Sequence, residues 1–274
     1  LPNPSVFYPV HLTVAGVLDG YGITFPGIPG IILGHNGKTA WSSTTAYHDV
    51  MDVFAETIEP CPDTGDCVQH NEALVPIEAR TESFGIGVLG TVSETVTATY
   101  ETVPHHGPII PTFEDGRVVP RSSNTALSVQ YTGHEPTFEI RAIWRLLQSG
   151  TVQAGLAALD DFSFGGQNWV LIDTAGSIGW TMKAKVPRRK LGAFTWDRES
   201  NQAGVAPFMV LPGDGSADWD GYIPDAVMPQ ALNPDSGLIV TANADPVGAT
   251  FDNDLLNDGD VDGNDFLFYD RREL

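Results

Sequence analysis

Basic residues are scarce in this chain. Lys and Arg number 14 against 35 Asp and Glu, a formal charge of −21. A surface so acidic repels nucleic acid and anionic lipid and attracts cations. Cysteine is nearly absent, with Cys61 and Cys67 alone in Cys-Pro-Asp-Thr-Gly-Asp-Cys. With only two thiols a local disulfide is favoured over a metal site, and the intervening Pro and Gly favour a turn that brings the sulfurs together. A local disulfide is expected, and with it an oxidising compartment, periplasmic or secreted. No apolar run is long enough to span a bilayer. No internal repeat is evident. Charged residues are 18% and hydrophobic ones 42%, which excludes a disordered chain. Glycine (29) and proline (20) are plentiful and predict many turns in a β-rich fold. The 274 residues suit one large domain or two small ones.

The stretch 34–56 (GHNGKTAWSSTTAYHDVMDVFAE) concentrates most of the chemistry. A Gly34-His35-Asn36 turn leads into small residues, Ser42 to Ala46, and then to the acids Asp49 and Asp52. Carboxylates beside free carbonyls suit a hard cation such as calcium. Backbone N–H groups facing a cleft suit a developing oxyanion. From local chemistry alone, a surface hairpin with solvated acids is the simpler reading.

Elsewhere, 5–17 reads as a strand, with an Asp19-Gly20 turn and a second strand over 21–25. Residues 57–79 look like an insertion carrying the cysteines, and 83–101 reads as strand. His105-His106 suggests metal, but no cysteine or third histidine lies near in sequence, so packing is the expected role of His106. Ile140, Ile143, Trp144 and Leu147 fall on one helical face. Ser149-Gly150 ends that helix, and Thr151 can cap a second. Strands over 168–173 and 177–183 follow, joined at Ala175-Gly176. Arg188-Arg189-Lys190 is the one basic run and reads as a solvated turn. Asp258, Asp260 and Asp262 begin an EF-hand-like loop, but its twelfth position is Tyr269 rather than Glu; a calcium loop and a solvated acidic loop both remain open. Neither Ser42 nor Ser43 sits in a Gly-x-Ser-x-Gly elbow, and no Ser-His-acid triad can be assembled.

Pro26-Gly27-Ile28-Pro29-Gly30, Gly34-His35-Asn36, Ala40 to Thr44, Gln167-Asn168-Trp169, Asp173 to Gly179, Gly221 to Pro224 and Thr241-Ala242-Asn243 occur in an order that resembles the penicillin acylase family of N-terminal nucleophile hydrolases. The resemblance implies an α+β chain, part of an αββα sandwich with a helical pair near 137–160. It implies that residues 1–274 are the central portion of a large subunit. The nucleophile would then lie upstream of Leu1, and this chain alone would be inactive. The partners implied are the small (alpha) subunit, the rest of the large subunit and a small-molecule acyl amide substrate. That amide would belong to a β-lactam antibiotic, an N-acyl homoserine lactone or a related compound. A non-catalytic, calcium-stabilised binding module is the contrasting expectation.

The family's site residues carry over one by one. The oxyanion donors map to the Thr45 backbone N–H and the Asn243 side chain, and a family arginine maps to Arg271, with Arg272 an equal rival. The acyl pocket maps to Leu33, Tyr47, Trp144 and Gln167. Gln167 is polar where penicillin G type enzymes are aliphatic, so a phenylacetyl group is not implied. The Ca2+ ligands map to Asp49, Met51, Asp52, Pro207 and Asp254, completed by a glutamate of the small subunit.

Overall fold

The computed structural model describes residues 3, 5–195, 204–206 and 208–243. The chain divides into two compact units. The first comprises 1–50, 135–188 and 221–274, and the second 51–134 and 189–220.

The first unit is built on a seven-stranded sheet. Its order is Tyr8–Val14, Leu18–Thr24, Leu33–His35, Thr39–Thr45, Gln167–Asp173, Ile178–Lys183 and Gln230–Leu232. Every neighbouring pair is antiparallel. The first hairpin turns at 15–17, where Gly16 has φ +73°, rather than at Asp19-Gly20. Asp19 and Gly20 lie inside the second strand because Gly20 faces Ile31 and Leu147, where a Cβ would come within 3.0 Å of both. Gly22 and Gly34 pair across the next ladder. A Cβ on Gly34 would stand 2.3 Å from the Tyr21 carbonyl oxygen, so only glycine lets these strands close.

Two helices, α1 (Glu139–Leu147) and α2 (Val152–Ala158), cover one face of this sheet. Of the expected αββα layering, the first unit thus supplies a helix layer and a sheet. The core joins Leu18, Ile31, Trp41, Trp169 and Leu171 of the sheet segment to Ile143, Leu146, Leu147 and Val152 of the helices. Full burial of each such side chain contributes roughly 1.5–3 kcal/mol. The buried stripe of α1 is Ala142, Ile143, Leu146 and Leu147. Ile140 and Trp144, expected on the core face, are 51% and 47% exposed. The face turns toward 142 and 146 because small Ala142 lets the helix approach the sheet. Thr151 caps α2 as expected, its Oγ1 accepting from the Ala154 N–H at 3.2 Å. The opposite end of the same cap is Asp173, whose Oδ2 accepts from the Val152 N–H at 2.9 Å. Hydrogen bonds from Val152, Ser177, Ala175 and Gly176 hold the Asp173 carboxyl below the usual carboxylate range.

The second unit is a set of smaller antiparallel ladders. Thr125–Tyr131, Met51–Pro60, Asp66–His70 and Ala73–Pro76 lie side by side, with Leu211–Pro212 parallel to Met51–Pro60. The segment 83–101 is two strands, Glu78–Val88 and Thr91–Val103, not one. Gly90, at φ +80°, makes the turn between them. Cys61 and Cys67 are disulfide-bonded across a tight turn, with their Cα atoms 5.2 Å apart. No helix among the described residues is long and apolar enough to cross a membrane.

Candidate active site

The strand Thr39–Thr45 is central at its start and an edge at its end. It pairs with Leu33–His35 only at Ala40 and Trp41, while Gln167–Asp173 follows its other side along the full length. Beyond Trp41 one row of backbone groups therefore faces open space. Asn36 fixes the turn that joins the two strands. Its Oδ1 accepts from the Lys38 and Thr39 N–H groups, and its Nδ2 donates to the carbonyls of Leu147 and Ser149. The Gly-His-Asn turn is thus pinned to the end of α1, and His35 lies exposed.

A cleft of about 510 Å3 opens beside this edge. Thr45, Asn243, Leu33 and Gln167 all line it. The Thr45 N–H donates to the Asn243 side-chain oxygen at 2.9 Å. A carbonyl-type oxygen is thus already held where the free edge points, the geometry an amide carbonyl or its oxyanion needs. Gln167 donates from Nε2 to the Gly165 carbonyl at 2.9 Å, which ties its polar end to the adjoining loop. Tyr47 and Trp144 are not among the lining residues. Tyr47 has φ +52° just past the strand end.

Several lining residues had not been assigned to the pocket from sequence: Phe7, Phe25, Phe162, Phe164, Trp169 and Ile140. Phe162 packs edge-on to Trp169 with centroids 5.2 Å apart. Phe7 lies tilted on Phe25 at 4.6 Å. Trp169 stands inside the quoted Gln167-Asn168-Trp169 motif, and the exposure of Ile140 is explained by its place on the cleft. Among the described residues, Glu139 is the one carboxylate lining this cleft. Its Oε1 accepts from the Ser163 and Phe164 N–H groups and its Oε2 from the Thr137 hydroxyl. Burial opposes ionisation here, but those donors prevail and hold Glu139 below its ordinary value. It is a charged clamp on the Phe162–Phe164 loop rather than a proton donor at neutral pH.

The expected calcium ligands are distributed. Asp49 is buried in the first unit, and Met51 and Asp52 belong to the second. Pro207, Asp254 and Arg271 lie outside the described residues, as does the acidic loop at 258–265. Asp52 is 3% exposed, and its Oδ2 accepts from Arg189 Nε at 2.8 Å and Trp219 Nε1 at 2.5 Å. Any share of Asp52 in binding a cation therefore falls to Oδ1. The pair also corrects the reading of the basic run, since Arg189 is 5% exposed and neutralises a buried acid instead of lying in water.

An apolar cleft beside a free strand edge, with a backbone donor at its end, has the geometry to receive a carbonyl oxygen. A family model described as penicillin amidase matches residues 1–263, and the chain belongs to the penicillin amidase family. The penicillin acylase 2 proenzyme of Pseudomonas sp. (strain SE83) is 30% identical over 86% of this chain and 27% of its own length. The penicillin G acylase of Escherichia coli is 30% identical over 89% of this chain and 26% of its own. An acyl-homoserine lactone acylase, QuiP of Pseudomonas fluorescens, is 28% identical over 86% of this chain. Thermostable penicillin G acylase from Alcaligenes faecalis matches in three dimensions with a TM-score of 0.66 at 25% identity, over 88% of this chain and 39% of that one. The α+β fold is that of penicillin acylase. The chain spans about a quarter of the length of the curated relatives it matches.

Proposed function

We propose that this chain forms the acyl-binding cleft and part of the oxyanion hole of an amidohydrolase that cleaves an N-acyl amide. The observation that carries the proposal is the Thr45 N–H, held 2.9 Å from a carbonyl-type oxygen at an apolar cleft. Attack on an amide turns its carbonyl oxygen into an alkoxide. A fixed N–H at Thr45 and the Asn243 amide, once rotated to donate, stabilise that charge by ~3 kcal/mol each. Binding substrate displaces the Asn243 oxygen from the Thr45 N–H and frees the donor at that moment. The aromatic and aliphatic lining takes the acyl chain and excludes water. The attacking group is assigned to an N-terminal residue of the processed enzyme, outside residues 1–274, with its α-amine as base. The remaining partners are then the small subunit and the rest of the large subunit.

The amide is that of a β-lactam antibiotic or a related compound. An N-acyl homoserine lactone is the second reading, favoured by a cleft lined with aliphatic as well as aromatic side chains and by the relatives of that name. The disulfide supports a periplasmic or secreted setting. Ca2+ is proposed as a structural cation held by Asp49, Met51, Asp52, Pro207 and Asp254. It would neutralise clustered carboxylates, and all its ligands would be oxygens.

The test uses protein expressed with its complete reading frame. Amine release is measured from phenylacetyl, aliphatic and β-lactam amides and from N-acyl homoserine lactones. Asn243→Ala is expected to lower kcat by ~10²–10³-fold with little change in KM. Absence of turnover on every amide would leave a non-catalytic binding module as the answer. Chelation followed by calcium addition is expected to lower and then restore Tm. A Tm indifferent to both removes calcium from the account.

A further inference from the structure

The second unit brings the adjacent pair His105 and His106 together with His70, which is distant from them in sequence. His70 ends the strand Asp66–His70, while His105 and His106 occupy the turn between Thr91–Val103 and Gly107–Pro108. One ring nitrogen from each lies within 4.8 Å of the others. The third histidine that the sequence does not place near the pair is His70. It stacks on His105 with centroids 3.7 Å apart.

The hydrogen bonds around these rings call for a positive charge at their centre. His106 is 1% exposed and lies flat on Phe54, centroids 3.8 Å apart. Its Nδ1 is 2.7 Å from Glu56 Oε1, and Glu56, also 1% exposed, accepts there from the Ser128 hydroxyl as well. A carboxylate only accepts, so this contact fixes the proton on Nδ1 and leaves the lone pair on Nε2. That Nε2 faces a second carboxylate oxygen, Asp218 Oδ1, at 3.0 Å. The other oxygen of Asp218 is 2.8 Å from His70 Nε2. A lone pair facing a carboxylate needs either a second proton on His106 or a metal cation between them. His105 Nε2 is buried and has no hydrogen-bond partner among the described residues. Protonating His106 leaves that nitrogen orphaned, whereas a shared cation satisfies it.

We propose that His70, His105 and His106, with Asp218 as fourth ligand, form a structural site for a divalent transition metal of the zinc class. Three imidazoles and one carboxylate give the four-coordinate set that zinc takes when no position is left for chemistry. Nitrogen donors favour zinc, cobalt, nickel or copper over calcium. Tetrahedral coordination at ~2.0–2.1 Å needs ligand atoms roughly 3.3 Å apart, so rings already within 4.8 Å close by small rotations. Glu56 then plays the part that carboxylates play behind ligating histidines, orienting the ring and raising the basicity of the free nitrogen. The metal would tie the tip of one ladder to the turn of another and to the 213–218 loop. This site is independent of the amide-cleaving reading.

The experiment measures metal, not turnover. Protein expressed with its complete reading frame is stripped with chelator, dialysed against zinc chloride with excess calcium, and assayed for bound zinc. Cobalt is titrated in parallel and its ligand-field absorption recorded. One tightly held zinc per chain and a four-coordinate cobalt spectrum are expected. His70→Gln and His105→Gln should each weaken binding at least tenfold, and Glu56→Gln by ~10–100-fold as an orienting group. No stoichiometric zinc in the wild-type protein would overturn the proposal. Zinc held equally by His70→Gln and His105→Gln would overturn it too. Should a variant fail to fold, X-ray absorption of the zinc-loaded wild-type protein decides by itself. Two or more imidazoles sustain the site, and fewer refute it.

Discussion

The two units solve the same stability problem with different means. The first buries Trp41, Leu146, Trp169 and Leu171 in one continuous core between helices and sheet. Among the described residues its ion pairs reach solvent on at least one side, as Arg141 and Arg145 on Asp161, where both arginines are about half exposed, and buried Lys183 on exposed Asp160. Among the described residues the second has two small clusters, one around Ile58, Val68, Val103 and Ile109 and one around Phe54, Leu211 and Ala217. It contains pairs with both members buried: Asp52 with Arg189, and Glu56 with His106. It also carries the disulfide. Small β ladders leave little apolar area to remove from water, and cross-links then take a larger share. A surface pair can be lost at small cost, but half of a buried pair cannot.

Asp52→Ala is expected to have the largest effect, destabilising the second unit by about 3–5 kcal/mol, because the buried Arg189 loses the buried carboxylate that it pairs with. Hydrogen exchange on chelator-stripped protein reads this for each unit separately. Loss of protection around 51–60 and 189 is the expected result; unchanged protection there would mean that the pair is not what holds this unit. Leu146→Ala should act on the other unit by about 2–5 kcal/mol, through lost burial and the cavity left behind. If both substitutions loosen both units equally, the contrast drawn above fails. Reduction of Cys61–Cys67 comes next. Its short loop makes the chain-entropy gain about 2 kcal/mol. Thiol titration of unfolded, unreduced protein should find no free thiol, and two would remove the disulfide and the argument for an oxidising compartment.

Much of the first unit was legible in sequence, because its signals are local. Thr151 capping α2, the Ala175-Gly176 turn and the strands on either side need only neighbours to be read. Where tertiary contact decides, the reading slipped. Asp19-Gly20 has turn chemistry, yet Ile31 and Leu147 draw Gly20 into a strand. Ile140 and Trp144 fit the helical period, but Ala142 turns α1 so that Ile140 faces a cleft. Thr45, Asn243, Leu33 and Gln167 meet at one cleft, and only the order of motifs along the chain could have suggested that. The His105-His106 pair was visible, but its meeting with His70 and the Arg189–Asp52 pair were illegible, since those partners are tens of residues or more apart and no period links them.

The smallest expected effect is the rim counterpart of Asp52. Asp161 accepts from Arg141 through both oxygens and from Arg145. The hydrogen bonds from Arg141, and then those from Arg145, hold its carboxyl down at about 2. The folded state therefore binds this proton less readily than the unfolded chain, whose value is near 3.8. Stability from the cluster is present in full above the unfolded value and is lost as pH falls through about 2. Asp161→Asn should accordingly lower Tm slightly at neutral pH, and the difference from wild type should shrink as pH drops from 3.8 toward 2. High salt should shrink it as well, because solvent reaches these arginines. Thermal melts of both proteins across pH and salt give the answer. A Tm difference as large as that of Asp52→Ala, or one indifferent to pH and salt, would show that the rim pairs of the first unit act like the buried pairs of the second.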